Sequence, residues 1–188
     1  IVPGVPRTGV QATFPDGSIF EAPLGTHVGA ILRVACGSPD VPMTAAIVNG
    51  RLRELTWPLS HDSDVTPLSA GSTDGARIYR RSIVFLMFVA IADVFPDAEV
   101  YIEHSATTTG GYFCETRGRA PFTQDELAAV ERRMREIVAE DAPITRSIVP
   151  VAEAIELFRG RGETDTARLL AHRERPTIEL YSLKGRRD

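Results

Sequence analysis

The sequence predicts an α+β fold in two units, and three observations carry that expectation. Residues 10–69 read as a ββαβ order with further short strands, punctuated by the turn signals Pro15-Asp16-Gly17-Ser18 and Asn49-Gly50. Residues 78–95 read as a helix that is apolar on nearly every face from Ile83 to Ala92, so protein has to surround it. Thr123-Gln124-Asp125-Glu126 opens a second, amphipathic helix, and the segments beside it alternate like strands.

Taken in order, Pro3, Gly4, Pro6 and Gly9 mark a loose lead-in. Val10–Phe14 alternates as a strand, and after the Pro-Asp-Gly-Ser turn Ile19–Ala22 returns as its partner. Thr26 is placed to cap a short helix carrying Val28, Ile31, Leu32 and Ala35 and ending near Gly37. Ala45–Val48, Leu52–Leu55 and Asp64–Leu68 supply the remaining strands, with Trp57 expected to pack on the sheet they form. Ser69–Ala76 is small and polar and reads as a linker. Beyond the apolar helix, Glu99–Glu103 and Tyr112–Glu115 read as strands around the Thr107–Gly111 loop. The capping-box helix follows, with Phe122 and Leu127 spaced as a hydrophobic staple and Val130, Met134, Ile137 and Val138 on one stripe. Ile144–Val149 is a strand, Val151–Arg159 and Thr164–Arg173 are short helices, and Thr177–Leu183 is a last strand.

Composition narrows the function classes. A hydrophobic fraction of 43% is enough to build a core, which excludes a disordered tail. The net charge of −4 argues against broad non-specific nucleic-acid binding, although a local basic patch is compatible with it. Basic residues are almost all arginine, with Lys184 alone as lysine. Two cysteines, Cys36 and Cys114, make neither a disulfide framework nor a closed metal site, so a cytoplasmic setting is the expectation. The longest unbroken apolar run, 83–92, is far shorter than the ~20 residues a membrane-spanning helix needs. No membrane partner is expected. The chain begins with Ile rather than Met, which reads as a piece of a longer protein.

Several strings carry a family resemblance. The order at 10–69, with FPDGS, PLGT and AAIVNGRL, resembles the TGS domain, a small β-grasp module. The stretch FTQDELAAVERRMREIVAEDAPITRSIVPVAEAIELF, within 78–183, resembles the editing domain of threonyl-tRNA synthetases. The resemblance therefore implies a TGS-like domain at 10–69 and an editing-like domain at 77–188. In the synthetases the long helix carries a His-x-x-x-His metal pair; the matching positions here are Arg81 and Phe85, neither of which ligates zinc. A group of uridine-kinase-like proteins related to phosphoribulokinases shares the two domains, and the motifs Tyr79-Arg80-Arg81-Ser82 and His104-Ser105…Gly111-Tyr112-x-Cys114 resemble that group more closely. That resemblance implies a non-catalytic N-terminal region of a nucleoside kinase. The kinase's P-loop domain would lie outside this chain as a further partner, since no G-x-x-x-x-G-K-[ST] is present. ATP and magnesium are then expected for the missing domain, and no cofactor for this region.

The candidate ligand-binding residues are Arg80, Arg81, His104, Ser105, Tyr112 and Cys114. The two arginines open the long helix and suit an RNA phosphate or small anion, or equally a surface salt bridge. With direct strand pairing, His104 falls near Tyr112, with Cys114 on the face of Tyr112. His104 and Cys114 then fit a ligand pocket or a nucleophilic pair, and equally a thiol behaving as a small hydrophobe. Thr107–Gly111 suits an anion nest or a plain hairpin tip. His27 and His61 are expected at the surface. Three functions remain open: a binding or regulatory region for an RNA or small molecule, a metal-independent hydrolase of mischarged tRNA, and an RNA- or protein-docking module.

Overall fold

The computed structural model describes residues 7–105 and 111–187. The fold is α+β, and the chain forms two compact units, Ile1–Ile83 and Val84–Asp188.

In the first unit β1 (Gly9–Thr13), β2 (Ile19–Pro23), β3 (Met43–Val48), β4 (Arg51–Arg53) and β5 (Ser63–Ser69) form one sheet in the order β2-β1-β5-β3-β4. β1 and β5 are parallel and the other pairs antiparallel, the mixed pattern of a β-grasp. Helix α1 (Val28–Cys36) buries Val28, Ile31 and Leu32, at the i, i+3, i+4 spacing of a helix face. They meet Val10, Ala12, Val48 and Val65 from alternate strand positions, and Leu59 and Phe14 close the core. Trp57 packs partly buried against it, with the Arg53 guanidinium 4.0 Å from the ring centroid.

Thr26 does not cap α1. Its hydroxyl donates to the Pro23 carbonyl at 2.7 Å, and the N-cap position falls on His27, which makes no side-chain cap bond. The first helical N–H groups are satisfied by a distant loop instead: Val28 N–H donates to Trp57 O at 2.9 Å and Gly29 N–H to Leu55 O at 2.7 Å. The 59–64 segment is tied in through Asn49, which stands at φ 48° in the tight β3–β4 turn. Its Oδ1 accepts from Asp64 N–H at 2.9 Å, while its Nδ2 faces Ser63 Oγ and His61 Nε2, each at 3.2 Å.

The Ser69–Ala76 stretch, expected as a linker, is a strand end and a helix start. β5 runs to Ser69, and helix α2 (Thr73–Val94) begins four residues later. Ser72 Oγ accepts from Gly75 N–H at 3.1 Å and donates to Ser69 O at 2.8 Å, which caps the helix and closes the turn together.

The second unit holds the end of α2, then β6 (Glu99–Ser105), β7 (Tyr112–Arg117), α3 (Gln124–Ala139), β8 (Thr145–Pro150), α4 (Val151–Gly160), α5 (Thr164–Ala171), β9 (Thr177–Leu183) and β10 (Arg186–Arg187). β6 and β7 pair as a hairpin, and β10-β9-β8 form a separate antiparallel sheet. One core gathers Phe85, Val89, Ala90 and Ile91 of α2 with Val130 and Ile137 of α3 and Leu183 of β9. Another sets Ala154, Phe158, Ala167 and Leu170 of α4 and α5 against Val149 and Leu180.

The expected capping box is present: Glu126 N–H donates to Thr123 Oγ1 at 3.3 Å, and Thr123 N–H donates to Glu126 Oε2 at 2.8 Å. Leu127 stays 45% exposed. Phe122 packs on Phe95 instead, with centroids 5.3 Å apart and the Arg119 guanidinium over the Phe122 ring. The charged face of α3 does structural work, since Arg133 reaches Asp93, Glu136 and Glu140 at 2.7, 3.0 and 3.4 Å.

Candidate functional site

The hairpin decides what the candidate residues can do together. Its register runs Glu99↔Arg117, Val100↔Thr116, Tyr101↔Glu115 and Ile102↔Cys114, then shifts, giving His104↔Phe113 and Ser105↔Tyr112. Glu103 is the extra residue of a β-bulge. Residues directly opposite across an antiparallel pair share a face, and neighbours along a strand alternate. One face therefore carries Val100, Ile102, Cys114 and Tyr112, with Val100 packed against the α2–α3 core. The other carries Glu99, Tyr101, His104, Phe113, Glu115 and Arg117. Contacts agree with this division: Tyr101 O–H donates to Glu99 at 3.3 Å, Arg117 lies 3.8 Å from Glu115, and the His104 and Phe113 rings stack.

The expectation of direct pairing, with His104 beside Tyr112, is thereby corrected. The bulge moves His104 opposite Phe113 and onto the face away from Cys114. Desolvation pushes the Cys114 thiol above its ordinary range, the reverse of what an activated nucleophile needs. His104 and Cys114 are not brought together as an acid–base and thiol pair. Ser105 is the last residue of β6, and the Thr107–Gly110 part of the predicted anion loop lies outside the described residues.

Arg80 and Arg81 are exposed on α2, within the first unit, while the hairpin belongs to the second. Neither arginine has an ion-pair partner among the described residues. Phe85, four residues beyond Arg81, is 8% exposed and sits in a core. A guanidinium and a buried phenyl ring do not fit a zinc ion at the positions that the family resemblance would assign to two imidazoles. Among the described residues no three His, Cys, Asp or Glu side chains gather closely enough to hold a metal ion.

Sequence reading missed the polar knot at His61. Its Nδ1 lies 3.0 Å from Ser60 Oγ and its Nε2 3.2 Å from Asn49 Nδ2. Asn49 Oδ1 already accepts from Asp64, so Nδ2 has to donate and His61 Nε2 has to accept. The Asn-Gly signal locates this turn, but nothing local in the sequence joins it to a histidine twelve residues away.

The chain is similar to threonine–tRNA ligases. One from Acidovorax sp. (strain JS42) is 30% identical over 174 residues, covering 93% of this chain and 27% of the relative. The enzyme of Polynucleobacter necessarius subsp. necessarius (strain STIR1) is 31% identical over 85% of this chain and 24% of its own length. That of Marinobacter nauticus (strain ATCC 700491 / DSM 11845 / VT8) is 32% identical over 84% and 24%. This chain spans about a quarter of the length of the curated relatives it matches. No family model matches it.

These relatives overturn the uridine-kinase-like reading, and with it the kinase and transferase assignment and the expected C-terminal kinase domain. The expectation of ATP and magnesium rests only on that domain. The physical reason is where the misleading motifs sit. Tyr79, Arg80 and Arg81 lie on an exposed helix face, and His104, Tyr112 and Cys114 on an exposed hairpin. Packing constrains such positions little, so short strings there say less about descent than similarity along most of the chain. Among the described residues no helix is long and apolar enough to cross a membrane.

Proposed function

We propose that this chain is a tRNA-recognition region of a threonine–tRNA-ligase-like protein, one that holds RNA near the acceptor end without hydrolysing an ester there. Residues 10–69 serve as the TGS-like domain and 77–188 as the editing-like domain. The single observation that carries the RNA half is similarity to threonine–tRNA ligases along 93% of the chain. Arg80 and Arg81 supply guanidinium groups for phosphate, and Ser105, Tyr112, Cys114 and the neighbouring His104 supply contacts along the hairpin. The region works without a metal or other cofactor, in a cytoplasmic setting.

Hydrolysis is the less favoured reading, for the reason the bulge provides. His104 and Cys114, the pair that would serve as base and nucleophile, face opposite ways, and desolvation moves the thiol away from the thiolate a nucleophile needs. The test combines binding with turnover. Filter binding of tRNA should weaken in Arg81→Ala and lose about one unit of salt slope, as expected for one phosphate contact. Mischarged tRNA should decay no faster with the chain than without it. Deacylation abolished by both His104→Ala and Cys114→Ala would defeat the non-hydrolytic reading, and stoichiometric zinc in the purified chain would defeat its metal-free part.

A further inference from the structure

The hairpin face that bears His104 has a geometry of its own. His104 and Phe113 stack with centroids 5.2 Å apart and ring planes only 12° from parallel. Phe113 is 54% exposed although it is a large apolar ring, and Tyr101 on the same face is 38% exposed. The Arg117 guanidinium lies 4.2 Å from the Tyr101 ring centroid, which makes a second flat pair on that face. A single exposed apolar ring is ordinary on a protein surface, but two aromatic rings open on one face make a contiguous patch, which is the kind that marks an interaction site. Here two π pairs follow one another along one face of a ribbon whose other face supplies Val100 to the core.

The charges beside these rings select the occupant. Glu99 and Glu115 share the face with Arg117, so carboxylates outnumber guanidiniums there and a phosphate backbone is not held on it. Carboxylates do suit the exocyclic amino group of an unpaired cytosine, adenine or guanine, which donates where a uracil carbonyl would be repelled. We propose that this outward hairpin face is a stacking ledge for an unpaired, amino-bearing nucleobase of RNA, with Phe113 and His104 as the platform and Glu115, two residues along the same face, accepting from the base edge. The ledge is distinct from the Tyr112–Cys114 face. The inference rests on the RNA reading above in its choice of ligand.

Stacking is tolerant of sequence and little affected by salt, whereas phosphate contact is strongly salt-dependent. The experiment titrates five-nucleotide oligoadenylate, oligocytidylate and oligouridylate into the full 188-residue chain, followed by amide chemical shifts and fluorescence anisotropy. Adenylate and cytidylate should bind more tightly than uridylate, shift the resonances of Phe113 and His104, and lose little affinity between about 50 and 200 mM salt. Phe113→Ala should weaken binding about ten-fold, and Phe113→Trp should retain it. Glu115→Gln should narrow the preference over uridylate. The variants alter exposed side chains, and circular dichroism checks that they stay folded.

Unchanged affinity in Phe113→Ala would overturn the ledge, as would a salt slope of several phosphates or tighter binding of an arginine-rich peptide than of any oligonucleotide. If tRNA binding depends on Arg81 while Phe113→Ala leaves it intact and no oligonucleotide binds, the ledge fails and the RNA reading stands. If neither tRNA nor oligonucleotide binds, both fail.

Discussion

Single residues in this chain are constrained chiefly by the non-bonded atoms within hydrogen-bond or van der Waals reach of them. A Cβ built on Gly75 would stand 1.9 Å from the Ser69 carbonyl oxygen, inside any allowed contact, because Ser72 draws strand end and helix start together. Gly75→Ala should therefore destabilise the first unit by about 1–3 kcal/mol. Gly71→Ala, whose nearest neighbours would be 3.6 Å away, should stay within about 0.5 kcal/mol of the parent. Urea midpoints for the two variants give the comparison, and equal midpoints would contradict the close approach. The His61 tautomer is a second residue-scale consequence. The Asn49 amide requires a lone pair on Nε2, so the neutral ring should carry its proton on Nδ1. Long-range 15N–1H correlation spectra read this directly, and a protonated Nε2 in the neutral form would refute the assigned amide orientation. Of the two sites, the sequence exposes only half. Asn49-Gly50 announces its turn, with φ of 48° and 74°, but the glycine at 75 looks like flexible linker until the carbonyl beside it is known.

At the scale of elements, α3 is the helix whose start is most fully written in the sequence. Thr123 and Glu126 satisfy each other's backbone N–H groups, and Arg119 Nη2 holds the same glutamate at 2.6 Å. Thr123→Ala should cost about 1 kcal/mol and fray the first turn, seen as faster amide exchange at 125–127 with the rest of α3 unchanged. Helix α1 is the contrasting case. Its opening N–H groups are satisfied by Leu55 and Trp57 carbonyls rather than by Thr26, so Thr26→Ala should affect its helical amides far less than Thr123→Ala affects those of α3. The capping box was legible because two residues three positions apart suffice to make it. The cap of α1 was not, because its acceptors arrive from a segment nearly thirty positions away.

The whole molecule carries its acid sensitivity in exposed carboxylates distributed over both units. The backbone N–H of Gln11 and the Arg7 guanidinium hold Asp62 below the usual carboxylate range, and the Ser18 hydroxyl and N–H do the same for Asp16. In the second unit the Thr123 N–H and Arg119 lower Glu126, and the Lys184 ammonium lowers Glu140. Each group binds its proton more weakly when folded, so the unfolded chain takes up more protons on acidification. Their stabilisation is complete above the unfolded carboxylate range, about pH 4–5, and disappears as pH falls through the lower folded values. Urea midpoints should therefore fall below about pH 4.5. A midpoint that rises on acidification would contradict the direction of all four.

What the sequence determined by itself was local. It specified the α+β class, the order of strands and helices, the Pro-Asp-Gly-Ser and Asn-Gly turns and the capping box, because each depends on residues within a few positions of one another. The tertiary structure decided the register of the β6–β7 hairpin, and through it the chemistry. One unpaired residue, Glu103, turns His104 toward Phe113 and away from Cys114, so two side chains that alternation would have joined lie on opposite faces of a two-stranded ribbon. Side-chain alternation has a period of two, so a single extra residue reverses every later position, and only pairing with the partner strand fixes where that residue falls.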